Sequence, residues 1–98
     1  HKAMDKGKEA YMLDRLLIAS IVEARGAERF GMIAAALPQG KLKKFYQAIT
    51  DSESRHYQLF LELAENYYAE TAITPRLNEL LDIEAQIIRT LPFRAALH

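Results

Sequence analysis

KLKKFYQAITDSESRHYQLFLELAENYYAE, residues 41–70, carries apolar side chains at Leu42, Phe45, Tyr46, Ile49, Phe60, Leu63, Ala64 and Tyr67. Steps of three and four residues place such side chains on one face of an α-helix. Carried across the gap between Ile49 and Phe60, the same stripe falls on Glu53 and His56. Two ionisable groups, three residues apart, therefore occupy positions that belong to a core. An unpaired carboxylate on a buried face costs several kcal/mol or takes up a proton instead. Some compensating group is expected beside it.

Glu-x-x-His on an inward helix face is the ligand arrangement of ferritin-like di-iron bundles. The same spacing also suits a core histidine hydrogen-bonded to its neighbouring glutamate. The motif alone leaves both readings open.

Upstream, a second helix is expected from about Lys8 to Leu37, with Asp5 as its N-cap. Its stripe reads Met12, Leu16, Ala19, Gly26, Ala27, Phe30, Ile33 and Ala34, and the missing step is Glu23. Leu13, Leu17, Ile21 and Met32 widen the apolar surface, so this helix needs partners on more than one side. Asp14, Arg15, Arg25, Glu28 and Arg29 fall mostly elsewhere around the wheel. Pro38-Gln39-Gly40 breaks the helix, because proline cannot continue the ladder and glycine permits a tight connection. The helix of residues 41–70 follows. Thr74-Pro75 then reads as an N-cap and first helical residue, opening a third helix to about Thr90. Its apolar side is Leu77, Leu80, Leu81, Ile83, Ala85, Ile87 and Ile88, and Pro92 stops it. The fold class is all-α: a long antiparallel hairpin with a shorter C-terminal helix.

A short connection makes the first two helices antiparallel neighbours. Glu23 stands sixteen positions before Gln39, and Glu53 and His56 stand fourteen and seventeen after it. At about 1.5 Å of rise per residue the three agree in height within roughly one turn. Glu23, Glu53 and His56 are thus expected to meet inside the hairpin. Two facing carboxylates raise one another's pKa. A divalent cation relieves that repulsion, and a carboxylate–imidazole set suits iron or manganese. A buried salt-bridge cluster is the competing reading. Glu28 lies about 140° around the wheel from Glu23 and reads as a surface residue. Arg55 and Tyr57 adjoin the motif and read as support for it or as ordinary packing and surface. His1 and His98 are terminal.

Composition narrows the classes. Ninety-eight residues make one domain or part of one, and half of them are hydrophobic. No cysteine is present, which excludes disulfides, zinc–thiolate sites and cysteine nucleophiles and fits a reducing, cytoplasmic setting. No apolar run approaches the ~20 residues that span a bilayer. Thirteen basic residues balance thirteen acidic ones, so no strongly basic nucleic-acid surface is expected. Lys41, Lys43 and Lys44, like Lys2, Lys6 and Lys8, read as solvated helix ends. The start His1-Lys2-Ala3-Met4, with no initiator methionine before it, suggests a fragment or a processed product.

Two segments go further. Ile21-Val22-Glu23-Ala24-Arg25 with Glu28-Arg29-Phe30, and Ser52-Glu53-Ser54-Arg55-His56-Tyr57, resemble the C-terminal half of a ferritin-like di-iron protein. The closer resemblance is to the tRNA 2-methylthio-isopentenyladenosine hydroxylase family, and it is strongest from Asp14 to Tyr68. Asp14-Arg15-Leu16-Leu17 and Lys44-Phe45-Tyr46 carry it too. It implies oxygen-dependent hydroxylation of an isopentenyl group on a modified adenosine beside the tRNA anticodon. It also implies an iron cofactor (a di-iron centre), dioxygen as co-substrate, tRNA as partner and an electron donor of unknown identity. Glu23, Glu53 and His56 would be half of the iron ligands. The family's other half, a Glu and a second Glu-x-x-His, has no counterpart in these 98 residues. The chain is therefore expected to pair, either with its own upstream half or with a second copy, into a four-helix bundle. A non-catalytic helical dimerisation module and another ferritin-like iron protein are the alternatives.

Overall fold

The computed structural model describes residues 6–91. Three helices follow in order: α1 (Lys6–Ala36), α2 (Lys41–Tyr67) and α3 (Glu70–Thr90). The described residues contain no strand. The all-α reading holds, as a long hairpin of α1 and α2 with a shorter third helix. The proposed cap Asp5 lies outside the described residues.

The α1–α2 turn forms for local reasons. Leu37 precedes a proline, which disfavours helical backbone, and α1 ends at Ala36 with the Leu37 amide bonded to the Ala34 carbonyl. Gly40 adopts φ 153°, where a β-carbon is poorly tolerated. The last turn of α1 holds no basic residue of its own. Lys43 supplies one from α2, its Nζ donating to the carbonyls of Ala34 at 2.8 Å and Leu37 at 3.1 Å. A cation there satisfies unbonded carbonyls at the negative end of the helix. Lys43 is thus a cap, not the solvated side chain expected.

The α2–α3 connection differs from the expectation. α2 stops at Tyr67 rather than Glu70, and α3 starts at Glu70 rather than Pro75, with Ala69 as N-cap in place of Thr74. Pro75 sits inside α3, where it removes the ladder bond to the Thr71 carbonyl. Packing explains the choice. Starting the helix early buries Ile73 in the core formed by Leu13, Leu17 and Ala64. Tyr68, left extended, donates its hydroxyl to the Glu9 carbonyl at 3.0 Å.

α3 runs parallel to α1. Arg76 forks onto Asp14 with bonds of 2.7 and 2.8 Å, and Arg25 forks onto Glu84 with bonds of 2.7 and 2.6 Å. Both partner numbers rise together, which sets the direction. The presence of α3 also turns the buried side of α1. Leu13, Leu17 and Ser20 are buried, whereas Met12, expected on the core stripe, is exposed. Ile83, Ile87 and Ile88 of α3 are likewise exposed rather than packed.

The other side of the hairpin has no covering helix among the described residues. Met12, Ile33, Leu42, Phe45 and Leu59 are exposed there. At 100° per residue they share the sides of α1 and α2 that carry Glu23 and His56.

Candidate metal centre

Glu23 stands near the middle of α1, and Glu53 and His56 near the middle of α2. The hairpin brings the three together. His56 Nδ1 lies 3.2 Å from Glu23 Oε1. One ligand atom from each of the three residues falls within 4.8 Å of the other two. The depth differs from the sequence expectation. The side chains sit on the uncovered face of the hairpin, not inside it, with His56 50% exposed and Glu23 24% exposed. The reason is that α3 packs on the opposite side, so the seam between α1 and α2 is sealed from one direction only.

Gly26 makes the position of Glu53 possible. A β-carbon there would come within 3.3 Å of Glu53 Oε2, tighter than ordinary contact. The small residue on α1 therefore leaves a cradle for a carboxylate from α2. Glu23 faces that carboxylate, and their shared hydrogen bond pushes the Glu53 pKa up, with desolvation and the Glu23 charge adding to it. His56 and Arg29 act in the opposite direction and only partly offset the shift. Two carboxylates and one imidazole, converging with excess negative charge, are the chemistry that receives a divalent cation.

The neighbours have other duties. Glu28 pairs with Arg25 at 3.0 Å on the surface, as a residue outside the cluster. Tyr57 and Ser54 line a cleft between the three helices on the α3 side, and Arg55 is exposed. Sequence reasoning missed both Arg–carboxylate forks. Arg25 and Glu84 are 59 residues apart, and no local pattern announces such a pair. Asp14 and Glu84 have pKa values lowered, first of all by the hydrogen bonds from their arginines. These forks hold α3 against α1 and so fix which side of the hairpin remains open.

No helix among the described residues is long and apolar enough to cross a membrane. No solved structure matches the chain. A tRNA 2-(methylsulfanyl)-N(6)-isopentenyladenosine(37) hydroxylase of Pseudomonas putida is 34% identical over 79 residues, which are 81% of this chain and 38% of that protein. The protein of the same name from Salmonella typhimurium is 36% identical over 87 residues, 89% of this chain and 32% of that protein. The chain spans about a third of the length of these curated relatives. The sequence profile of tRNA-(MS[2]IO[6]A)-hydroxylase (MiaE) matches residues 1–98, from the first to the last, and the chain belongs to that family.

Proposed function

We propose that this chain contributes half of the ligand set of a di-iron centre in a tRNA-modifying hydroxylase, the ligands being Glu23, Glu53 and His56. The observation that carries the reading is the convergence of two carboxylates and an imidazole within 4.8 Å. The donor set fits the metal: oxygen and nitrogen ligands with surplus negative charge, cradled by a glycine. The names of the relatives supply the reaction, hydroxylation of 2-(methylsulfanyl)-N(6)-isopentenyladenosine in tRNA.

Iron, when bound, supplies the redox chemistry that activates dioxygen. The chain's own residues do the rest. Glu23 and Glu53 bring charge that neutralises a cation, and the contact between Glu23 and His56 orients the imidazole across the hairpin. A cation competes with protonation of Glu53, whose pKa is raised by the facing Glu23, so uptake is stronger as pH rises through that raised value. The Arg25 and Arg76 forks hold α3 on the far side and keep the ligand face free for the remaining ligands. A ferritin-like centre takes a Glu from each of two helices and a Glu-x-x-His from each of two more. This chain supplies one of each, so two further helices complete the site.

Metal binding is tested by anaerobic titration of the chain with ferrous ion, with the bound metal measured after dialysis. Glu53→Gln and His56→Asn are expected to weaken uptake strongly, while Glu28→Ala leaves it unchanged. Equal uptake by all three variants overturns the ligand assignment. The reaction is tested by supplying tRNA with the unhydroxylated nucleoside, reductant and dioxygen to the iron-loaded protein with its bundle complete. Mass spectrometry of the digested tRNA is expected to show one added oxygen. The same result with Glu53→Gln overturns the role of the site.

A further inference from the structure

Zero net charge conceals how the cations are placed. RNA is held largely by positive side chains on its phosphates, whatever the sequence of its bases. Several cations of this chain already have other work. Arg25 and Arg76 fork onto carboxylates, and Lys43 caps α1. Arg15 is held on Tyr11, and Arg29 lies over the Phe30 ring. Lys41, Lys44 and Arg55 differ from these. All three are exposed, and none has an ion-pair partner among the described residues.

Helix geometry gathers them. At about 100° per residue, Lys41, Lys44 and Arg55 share an arc of about 60° on α2. The stripe is about 21 Å long at ~1.5 Å of rise per residue. Its centre lies roughly 90° around the wheel from His56, on the outer edge of the hairpin. Helices that complete the ligand set seat on the face that bears His56, so this edge stays in water. Residues 29–50 contain no Asp or Glu, and the first turn of α2 has no acidic side chain. Asp51 borders the arc, and Glu62 ends it two turns beyond Arg55. The positive edge is therefore confined to the part of α2 between the hairpin turn and the metal ligands.

That register matters for the reaction. Arg55 is the residue before His56, so one end of the stripe stands at the level of the ligands. An RNA backbone lying along the edge passes beside the ligand face, and a nucleoside turned inward from it approaches the metal level.

We propose that Lys41, Lys44 and Arg55, on the outer edge of α2, hold phosphates of the RNA substrate. The proposal rests on the tRNA reading made above and adds the surface and the direction of approach. Contacts of this kind fix the position of the RNA and do not read its bases.

Fluorescence anisotropy of a labelled anticodon stem-loop RNA across a salt series, with the protein at its full natural length, tests the proposal. Lys41→Gln, Lys44→Gln and Arg55→Gln combined are expected to weaken binding by about tenfold or more at low salt, and to lower the salt slope by about two to three. Lys44→Gln alone, three turns from the ligands, is expected to lower the slope by about one. Lys6→Gln with Arg89→Gln removes exposed cations elsewhere and is expected to change neither. Circular dichroism and ferrous-ion uptake are expected to be the same for all of these proteins. RNA binding with an unchanged slope in the combined variant and in Lys44→Gln overturns the surface and leaves the tRNA reading standing. An equal loss in the Lys6→Gln and Arg89→Gln protein also overturns it, in favour of diffuse attraction. Failure of the unsubstituted protein to bind the RNA overturns the tRNA reading and the surface together.

Discussion

The two sides of the α1–α2 hairpin treat charge in opposite ways. On the side of α3, each carboxylate meets a guanidinium: Asp14 takes Arg76 and Glu84 takes Arg25, both as two-bond forks. Their pKa values fall. On the uncovered side, Glu53 meets another carboxylate, and its pKa rises. The first side is electrostatically closed and builds structure. The second holds negative charge that His56 and Arg29 only partly offset, around a small cradle, which costs stability and prepares a place for a cation. A paired carboxylate and an unpaired one, at similar exposure, thus report different jobs.

The largest effect expected separates core from site. Leu17 is fully buried between the helices. Leu17→Ala is expected to cost about 3 kcal/mol in urea unfolding. Metal affinity of the molecules that remain folded should be unchanged. A comparable loss of affinity would show that the two sides are not independent.

Next in size, Glu53→Gln is expected to reduce manganous-ion affinity by about 100-fold or more, beyond the range of changes to residues that only support ligands. The same substitution acts oppositely on the metal-free chain. A carboxylate whose folded pKa is raised holds its proton better when folded, so stability falls as pH rises from the ordinary carboxylate range through the raised value. Removing the charge abolishes that fall. Melting temperatures across this interval check it, and an unchanged slope would mean that Glu23 and Glu53 do not repel.

The clamped side has the reverse sign. The lowered pKa of Glu84 contributes stability that is present above the ordinary carboxylate range and is lost as pH falls through the lowered value. Arg25→Met is expected to cost about 1 kcal/mol, since solvent screens the pair, and to lessen the acid sensitivity. Unfolding at high salt should narrow the difference from the unsubstituted chain. A salt-independent difference would point to packing of the arginine stem instead.

The smallest effect tests the cradle. Gly26→Ala pushes a β-carbon to 3.3 Å from Glu53 Oε2, and the carboxylate must shift by a few tenths of an ångström. A loss of metal affinity of roughly threefold is expected, about 0.7 kcal/mol, with helix stability raised by about 0.5–1 kcal/mol. Stronger metal binding by this variant would show that the site prefers a more open Glu53.

The all-α class, the hairpin and the convergence of Glu23 with Glu53 and His56 were legible from the chain itself. Apolar periodicity, one proline–glycine break and equal distances from that break are local properties, and helix geometry turns them into positions. The break after Tyr67 carried no such signal. Thr74-Pro75 is a strong local start, yet α3 begins at Glu70, and its first turn carries Ile73 into the core with Leu13, Leu17 and Ala64. Helix phase was also a tertiary matter. Met12 and Leu13 are neighbours with similar claims to a core, and only the docking of α3 buries Leu13 and leaves Met12 exposed. The same docking put the three convergent side chains on an uncovered face. Periodicity records which side chains avoid water, but it holds no record of which neighbour covers them. The packing of Ile73, Leu77 and Leu80 with Leu13 and Leu17 settled that, together with two arginine forks that each join residues about sixty positions apart.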